Sequence, residues 1–175
     1  VLDIGAYRGE WARTLHASYG CKVISLEPVW AHYLSCVDSC PDGCRVYKIG
    51  LSGKCSTELM TVAADASSFV IRPEGSGSEP VMCVDPDSLF SLLKLGEVDL
   101  MKMNVEGAEY GIMPQMTRVL KRIRRAYIQF HKEVPHSDEL YEESERILGM
   151  THVLVERQKF IWDLWVRRDV AGEPI

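Results

Sequence analysis

The chain has 175 residues, enough for one domain with a substantial core, and at 46% apolar and 26% charged its composition is that of an ordinary globular protein. Its net charge of -5 argues against a nucleic-acid partner held by a broad basic surface. No apolar stretch approaches the ~20 residues a membrane span requires, and no signal-peptide pattern is present.

The chain opens inside a strand, which suggests a single domain over residues 1–175 that lacks an N-terminal element. Among the six cysteines, Cys36, Cys40 and Cys44 recur every four residues, which on a continuous helix would stack three thiols. Pro41-Asp42-Gly43 ends any helix near Cys40, and there is no CxxC pair or nearby HxxxH to complete a zinc set. Nor do the spacings resemble a small secreted disulfide framework, so reduced thiols and a cytoplasmic setting are expected.

The first ten residues are the most informative. Val1-Leu2-Asp3-Ile4 reads as a short strand, and Gly5-Ala6-Tyr7-Arg8-Gly9 as a glycine turn opening a helix. Gly5 permits a sharp turn and close approach of a ligand, and Gly9 permits the helix to pack close to the strand. The helix runs from Glu10 to Tyr19. A second strand, Lys22 to Leu26, ends in Glu27, and an acid there takes the ribose hydroxyls of an adenosine in doubly wound folds.

Trp30, Tyr33, Leu34 and Val37 fall at i, i+3, i+4 and i+7, which predicts an amphipathic helix with these residues inward. Trp162 and Trp165, like Trp30, are expected in packing. Arg45 to Ile49 is a third strand, and Gly50-Leu51-Ser52 follows where an adenine would be covered. Leu51 to Ile71 reads as a hairpin excursion broken at Gly53 and at residues 64–68. Residues 73–80 read as a surface loop. A short helix from Ser88 to Leu95, capped by Asp85 or Asp87, leads to a fourth buried strand, Val98 to Met103. Pro114 suggests two helical pieces, the second carrying Met116, Val119, Leu120 and Ile123. Lys121 to Arg125 is a basic run suited to a solvated helix end. Arg125 to Phe130 is a fifth strand, Ser137 to Leu148 a helix, and Thr151 to Glu156 with Phe160 to Arg167 an antiparallel pair.

This alternation predicts a Rossmann-like α/β domain: a mainly parallel seven-stranded sheet, helices on both faces and an antiparallel last strand. The closing pair argues against a dehydrogenase and fits the class I methyltransferase arrangement. The turn agrees, because it reads G-x-x-x-G and lacks the close-approach glycine of a pyrophosphate site. S-adenosylmethionine carries no phosphate.

Asp3-Ile4-Gly5-Ala6 with Gly9, Leu26-Glu27-Pro28, Asp87-Ser88-Leu89, Lys102-Met103-Asn104-Val105-Glu106-Gly107-Ala108-Glu109 and Tyr127-Ile128-Gln129-Phe130-His131 together resemble the FkbM-type methyltransferases over nearly the whole chain. The VEGAE block is the specific part. The resemblance implies S-adenosylmethionine-dependent methyl transfer to a hydroxyl of a sugar, glycan or other small-molecule acceptor. The alternatives are a catalytically impaired cofactor-binding or accessory domain and an RNA methyltransferase. Two positions depart from the family pattern: Asn104 stands where Asp is usual, and Tyr7 where Asn is common. Asn104 keeps hydrogen-bonding capacity but cannot act as a carboxylate base.

The residues expected to bind the cofactor are Asp3, Gly5, Ala6, Tyr7, Gly9, Glu27, Pro28, Leu51, Ser52 and Asn104. Asp3 would order the turn and help hold the cofactor's amino group. Glu106, His131 and Asn104 are the catalytic candidates, with His131 as a general base for the hydroxyl. A divalent metal gripped by Glu106 and His131 is a further reading, and His136 could join either scheme. Glu109, like Glu106, also suits a helix start on electrostatic grounds alone.

Overall fold

The computed structural model describes residues 1–62 and 77–172. β1 (Leu2–Ile4), β2 (Ile24–Leu26) and β3 (Arg45–Tyr47) are joined by α1 (Glu10–Tyr19) and α2 (Trp30–Asp38). β4 (Gly50–Leu51), β5 (Ser56–Val62) and β6 (Gly77–Val84) form a small separate sheet in the order β4-β6-β5. α3 (Pro86–Leu92) then leads to β7 (Met101–Met103), and α4 (Glu109–Met116) with a 3-10 turn at Leu120–Arg122 leads to β8 (Arg125–Ile128). α5 (Ser137–Gly149), β9 (His152–Gln158) and β10 (Trp162–Arg167) complete the described elements.

The main sheet has seven strands in the order β3-β2-β1-β7-β8-β10-β9. β1 pairs in parallel with β2 and β7, β7 in parallel with β8, and β10 runs antiparallel to both β8 and β9. From β1 the chain winds outward one way, and from β7 the other. Right-handed crossovers in opposite directions put α1 and α2 on one face and α4 and α5 on the other. The order therefore reverses between β1 and β7, and a crevice opens at the carboxyl ends of these strands.

The central strands are buried on both faces, so they read as nearly unbroken apolar runs. Leu2, Ile4, Leu26, Met101, Met103 and Ile128 are each no more than 1% exposed. The exceptions are Asp3, Ser25 and Lys102. They sit at matched mid-strand positions, Asp3 opposite both of the others, and all three are buried. α3 starts as its sequence dictates: the Asp85 carboxylate accepts the Ser88 N–H at 2.9 Å, and Pro86 occupies the first turn.

Four local expectations are corrected. Trp30, Leu34 and Val37 face outward, with exposures of 54%, 42% and 43%, while His32 and Cys36 are the buried residues of α2. His32 and Cys36 lie on the other side of the helix from the apolar stripe. α2 seats there because it packs against the glycine turn, where a Cβ on Gly9 would come 2.8 Å from the Cys36 sulfur. The same contact shows that Gly9 makes room for α2 rather than for a strand. Pro114 lies inside a single helix, α4. It withholds only one late hydrogen bond, and the helix ends two residues on. Met116, Val119, Leu120 and Ile123 are buried as expected, but no second helix carries them: Met116 ends α4, Val119 lies in a turn, Leu120 opens the 3-10 segment and Ile123 bridges to Val98. Gly77 to Pro80, read as loop, begins β6 and pairs with β5. The expectations for residues 63–71 and 73–76 lie outside the described residues.

Candidate functional site

A cavity of about 240 Å³ opens at the carboxyl edge of β1, β2 and β7, where the strand order reverses. Its wall includes Gly5, Ala6, Tyr7, Glu27, Pro28, Leu51, Asn104 and Glu106 among the residues expected from the sequence. Asp3, Gly9, Ser52 and His131 do not line it. Arg8, Glu10, Trp11, His32, Met60 and Lys102 do, although the sequence reading singled out none of them as site residues.

The glycine turn is held from three sides. Gly5 and Ala6 N–H groups both donate to the Leu26 carbonyl, at 3.1 and 3.0 Å. Gly5 has φ +76°, and a Cβ there would stand 1.8 Å from the Asn104 carbonyl oxygen. The turn therefore lies directly against the end of β7. Tyr7 follows with φ 54°, and its N–H donates to Glu27 Oε2 at 2.8 Å. Its ring meets His32 edge-on, with centroids 4.5 Å apart.

Glu27 is 5% exposed and accepts a second backbone bond, from Val29 N–H to Oε1 at 2.9 Å. Burial outweighs these bonds and the Lys102 charge, and pushes the carboxyl up to about 7. His32 Nδ1 lies 3.9 Å from Glu27 Oε1, and burial together with Arg8 holds His32 below its ordinary value. Each Glu27 oxygen carries a further lone pair, so the carboxylate can still receive a pair of hydroxyl donors.

Beneath the turn, Lys102 Nζ lies 3.0 Å from Asp3 Oδ1 and donates to the Gly5 carbonyl at 2.7 Å. Asp3 is fully buried and faces Lys102, not the cavity. Burial raises the Asp3 carboxyl, and the Lys102 charge opposes that rise. A cation in the middle of an apolar strand was the available signal for Lys102. Asn104 follows at the strand end, and its amide oxygen is buried with no hydrogen-bond partner among the described residues.

On the far side, Glu106, His131 and Glu109 form a chain. His131 Nε2 lies 3.3 Å from Glu106 Oε2, and Nδ1 lies 3.0 Å from Glu109 Oε1. Glu109 is wholly buried and also accepts the His131 N–H at 2.7 Å and the Gly107 N–H at 2.9 Å. Burial would lower the His131 pKa, but the two carboxylates overcome it and push it up to about 10. The imidazole is therefore protonated near neutrality, with both ring nitrogens directed at acids. Glu106 has φ 51°, a conformation uncommon outside glycine, and it is the member of the chain that reaches the cavity. His136 is exposed at the N-cap of α5. Among the described residues there is no group of three or more His, Cys, Asp or Glu side chains arranged to hold a metal ion. All six cysteines are free. No helix among the described residues is long and apolar enough to cross a membrane.

Comparison with solved structures places this fold among methyltransferases. The magnesium protoporphyrin IX methyltransferase of Synechocystis PCC 6803, solved with S-adenosylmethionine bound, superposes with a TM-score of 0.53 at 11% identity, over 95% of this chain and 68% of that one. WbdD, co-crystallised with the kinase inhibitor LY294002, gives 0.51 at 9% identity over 95% of this chain and 35% of its own length. The ribosomal protein L11 methylase of Lactobacillus delbrueckii subsp. bulgaricus gives 0.50 at 11% identity over 94% of this chain, which spans 66% of that enzyme. A sequence search among curated proteins finds no match. The model of the methyltransferase FkbM domain matches residues 3–160, and the chain belongs to that family.

Proposed function

We propose that the chain binds S-adenosylmethionine in the cavity at the carboxyl edge of β1, β2 and β7 and transfers its methyl group to a hydroxyl of a sugar, glycan or other small-molecule acceptor. The observation that carries this reading is Glu27. Its buried carboxylate is fixed by two backbone N–H groups, opens onto the cavity, and stands where a ribose diol would be received. The remaining wall suits the rest of such a ligand. Pro28, Ile49, Gly50 and Leu51 offer an apolar surface for an adenine. The unpartnered Asn104 amide oxygen offers an acceptor to an ammonium group.

When bound, S-adenosylmethionine supplies a methyl group on a positively charged sulfur, open to attack by an oxygen nucleophile. The protein's part is to align that oxygen and to take its proton. Of the acids on the cavity wall, Glu106 follows the end of β7 and is not the one given to the ribose, and we assign it the proton. His131, protonated and held by Glu109, fixes the Glu106 carboxylate instead of acting as the base. This assignment moves the catalytic role from His131 to Glu106 and makes His131 a positioning residue.

The second reading, a binding domain without transferase activity, draws on Asn104. An amide stands where the family resemblance leads one to expect a carboxylate, so the site has one fewer proton acceptor. Calorimetric titration with S-adenosylmethionine tests the binding shared by both readings, and absence of binding overturns both. Release of S-adenosylhomocysteine with separate pools of sugars, glycans and bulk RNA then separates them. Release with a hydroxylated small-molecule or glycan pool supports the first reading. Binding without release from any pool supports the second, and release with RNA alone overturns the proposed acceptor class.

A further inference from the structure

We propose that Lys102 binds the cofactor directly, its ammonium group receiving the α-carboxylate at the amino-acid end of S-adenosylmethionine. This inference rests on the reading of the cavity given above.

An ammonium group has three protons to donate. Lys102 donates one to the Gly5 carbonyl at 2.7 Å, and its charge pairs with Asp3 Oδ1 at 3.0 Å. The side chain is 9% exposed, and Lys102 is part of the cavity wall. A further proton is therefore left for an acceptor in the cavity. A buried cation fixed by two anchors on the wall of a ligand site matches a ligand anion, because charge-assisted hydrogen bonds are about twice as strong as neutral ones.

The backbone of the glycine turn leaves few donors for such an anion. In the glycine turn, the N–H groups of Gly5, Ala6, Tyr7 and Gly9 are already bonded, to Leu26 O, Leu26 O, Glu27 Oε2 and Ala6 O respectively. The acids on the cavity wall, Glu10, Glu27 and Glu106, would repel a carboxylate. Arg8 is the other cation on the wall, but it is exposed and its guanidinium lies over the Tyr7 ring, 5.0 Å from the centroid. Lys102 also changes the part assigned to Asp3. The acid does not meet the ligand's amino group. It compensates the lysine from behind, so that the group presented to the ligand is positive, not negative.

The test compares S-adenosylmethionine with its decarboxylated analogue, which lacks only the α-carboxylate. Binding is read by calorimetry on the intact chain, wild type and variants. Wild type is expected to bind the decarboxylated form roughly ten- to hundredfold more weakly, the range of a charge-assisted hydrogen bond. Lys102→Met should bind the two ligands within about twofold of each other, with the loss confined to S-adenosylmethionine, and Arg8→Ala should keep the wild-type preference. Lys102→Met leaves Asp3 buried and unpaired, so the double variant Asp3→Asn, Lys102→Met is measured beside it, with thermal melting to confirm folding.

Equal loss of both ligands in the folded double variant overturns the proposal and makes Lys102 a support for the turn only. Loss of the preference in Arg8→Ala, but not in the Lys102 variants, gives the carboxylate to Arg8. Wild-type binding of neither ligand defeats the reading of the cavity itself, which is a different failure from wild-type binding of both ligands equally.

Discussion

The Nδ1 atom of His131 lies 3.0 Å from Oε1 of Glu109, a carboxylate with no exposure to solvent. The two residues come from the end of β8 and the first turn of α4, so one buried pair ties the loop after β7 to the next strand. Glu109 also holds the Gly107 and His131 backbone N–H groups. Removing one partner of a buried, hydrogen-bonded pair leaves the other uncompensated, which costs about 3–5 kcal/mol. Glu109→Ala is expected to lose stability in that range in urea unfolding. Glu109→Gln, which keeps an acceptor oxygen, should lose less than half as much.

The same pair makes stability depend on pH. The His131 pKa is raised in the folded chain to about 10, well above its ordinary 6.5. The sign follows: its contribution is fully present below about pH 6.5 and is lost as pH rises toward 10. Stability should therefore fall between about pH 6.5 and 10, with a slope approaching about 1.4 kcal/mol per pH unit where one proton separates the two states. Above about pH 9 the buried thiols of Cys36 and Cys83 add to the decline, because burial pushes them up to about 12 and about 11 and they stay protonated when unfolded thiols do not. His131→Gln should remove its share of the fall and leave only the thiols' decline above about pH 9. Denaturant melts at half-unit intervals of pH measure it, and an unchanged slope would remove the charge from His131.

Gly5→Ala is expected to disable the site from its backbone outward. The added methyl would stand 1.8 Å from the Asn104 carbonyl, at a φ of +76° that L-residues disfavour. The main-chain oxygen cannot move without pulling β7 from β1. Loss of a cooperative melting transition, or a melting temperature lowered by about 10 °C or more with no ligand binding, is expected. Retention of both binding and stability would show that the turn and Asn104 can separate.

The places of Gly5 and Glu27 on the cavity wall were legible in the sequence because their signals are local. A sharp turn after a strand needs glycine at that position, and an acid at a strand end needs no distant partner to be recognised. The mainly parallel sheet with its antiparallel close was legible for a related reason, since alternating strands and helices with a closing strand pair admit few topologies. Lys102 was not, because its place depends on register: it reaches the cavity wall only when β7 lies beside β1 with Asp3 opposite it. His32 was hidden by the stronger apolar stripe of Trp30, Leu34 and Val37, and tertiary packing chose the weaker face. His131 was found but its charge was not, since Glu109 reads as a helix-start acid until the fold wraps it around the imidazole.

Tyr7 shows a local rule broken at the site. Its φ of 54° is a left-handed conformation that asparagine tolerates better than other non-glycine residues. Tyr7→Asn and Tyr7→Ala both remove the ring that meets His32, so their difference isolates the backbone preference. The asparagine variant is expected to be more stable than the alanine variant by about 0.5–1 kcal/mol in paired thermal melts. Equal stability would mean that the turn relaxes out of the left-handed region once the ring is gone.

The ionisation of Glu27 supplies the last expectation. Burial places its carboxyl at about 7, so near neutrality both forms are populated in the free chain. Ligand hydroxyls donate better to the charged form, so binding should lower this value and release a proton. Affinity for S-adenosylmethionine is then expected to be flat above about pH 8 and to weaken by up to about tenfold per unit below about pH 7. Calorimetry at one pH in buffers of different ionisation enthalpy reads the proton release directly. Glu27→Gln should abolish the release and flatten the profile, and Glu27→Ala should weaken binding by at least ~1.5–3 kcal/mol and also lower the melting temperature, because the Tyr7 and Val29 N–H groups lose their acceptor. A profile set instead by His32, whose ring lies 3.9 Å from the same carboxylate, would survive in Glu27→Gln and vanish in His32→Gln. That outcome, or pH-independent binding in the wild type, would mean that the acid at the end of β2 does not receive the ligand.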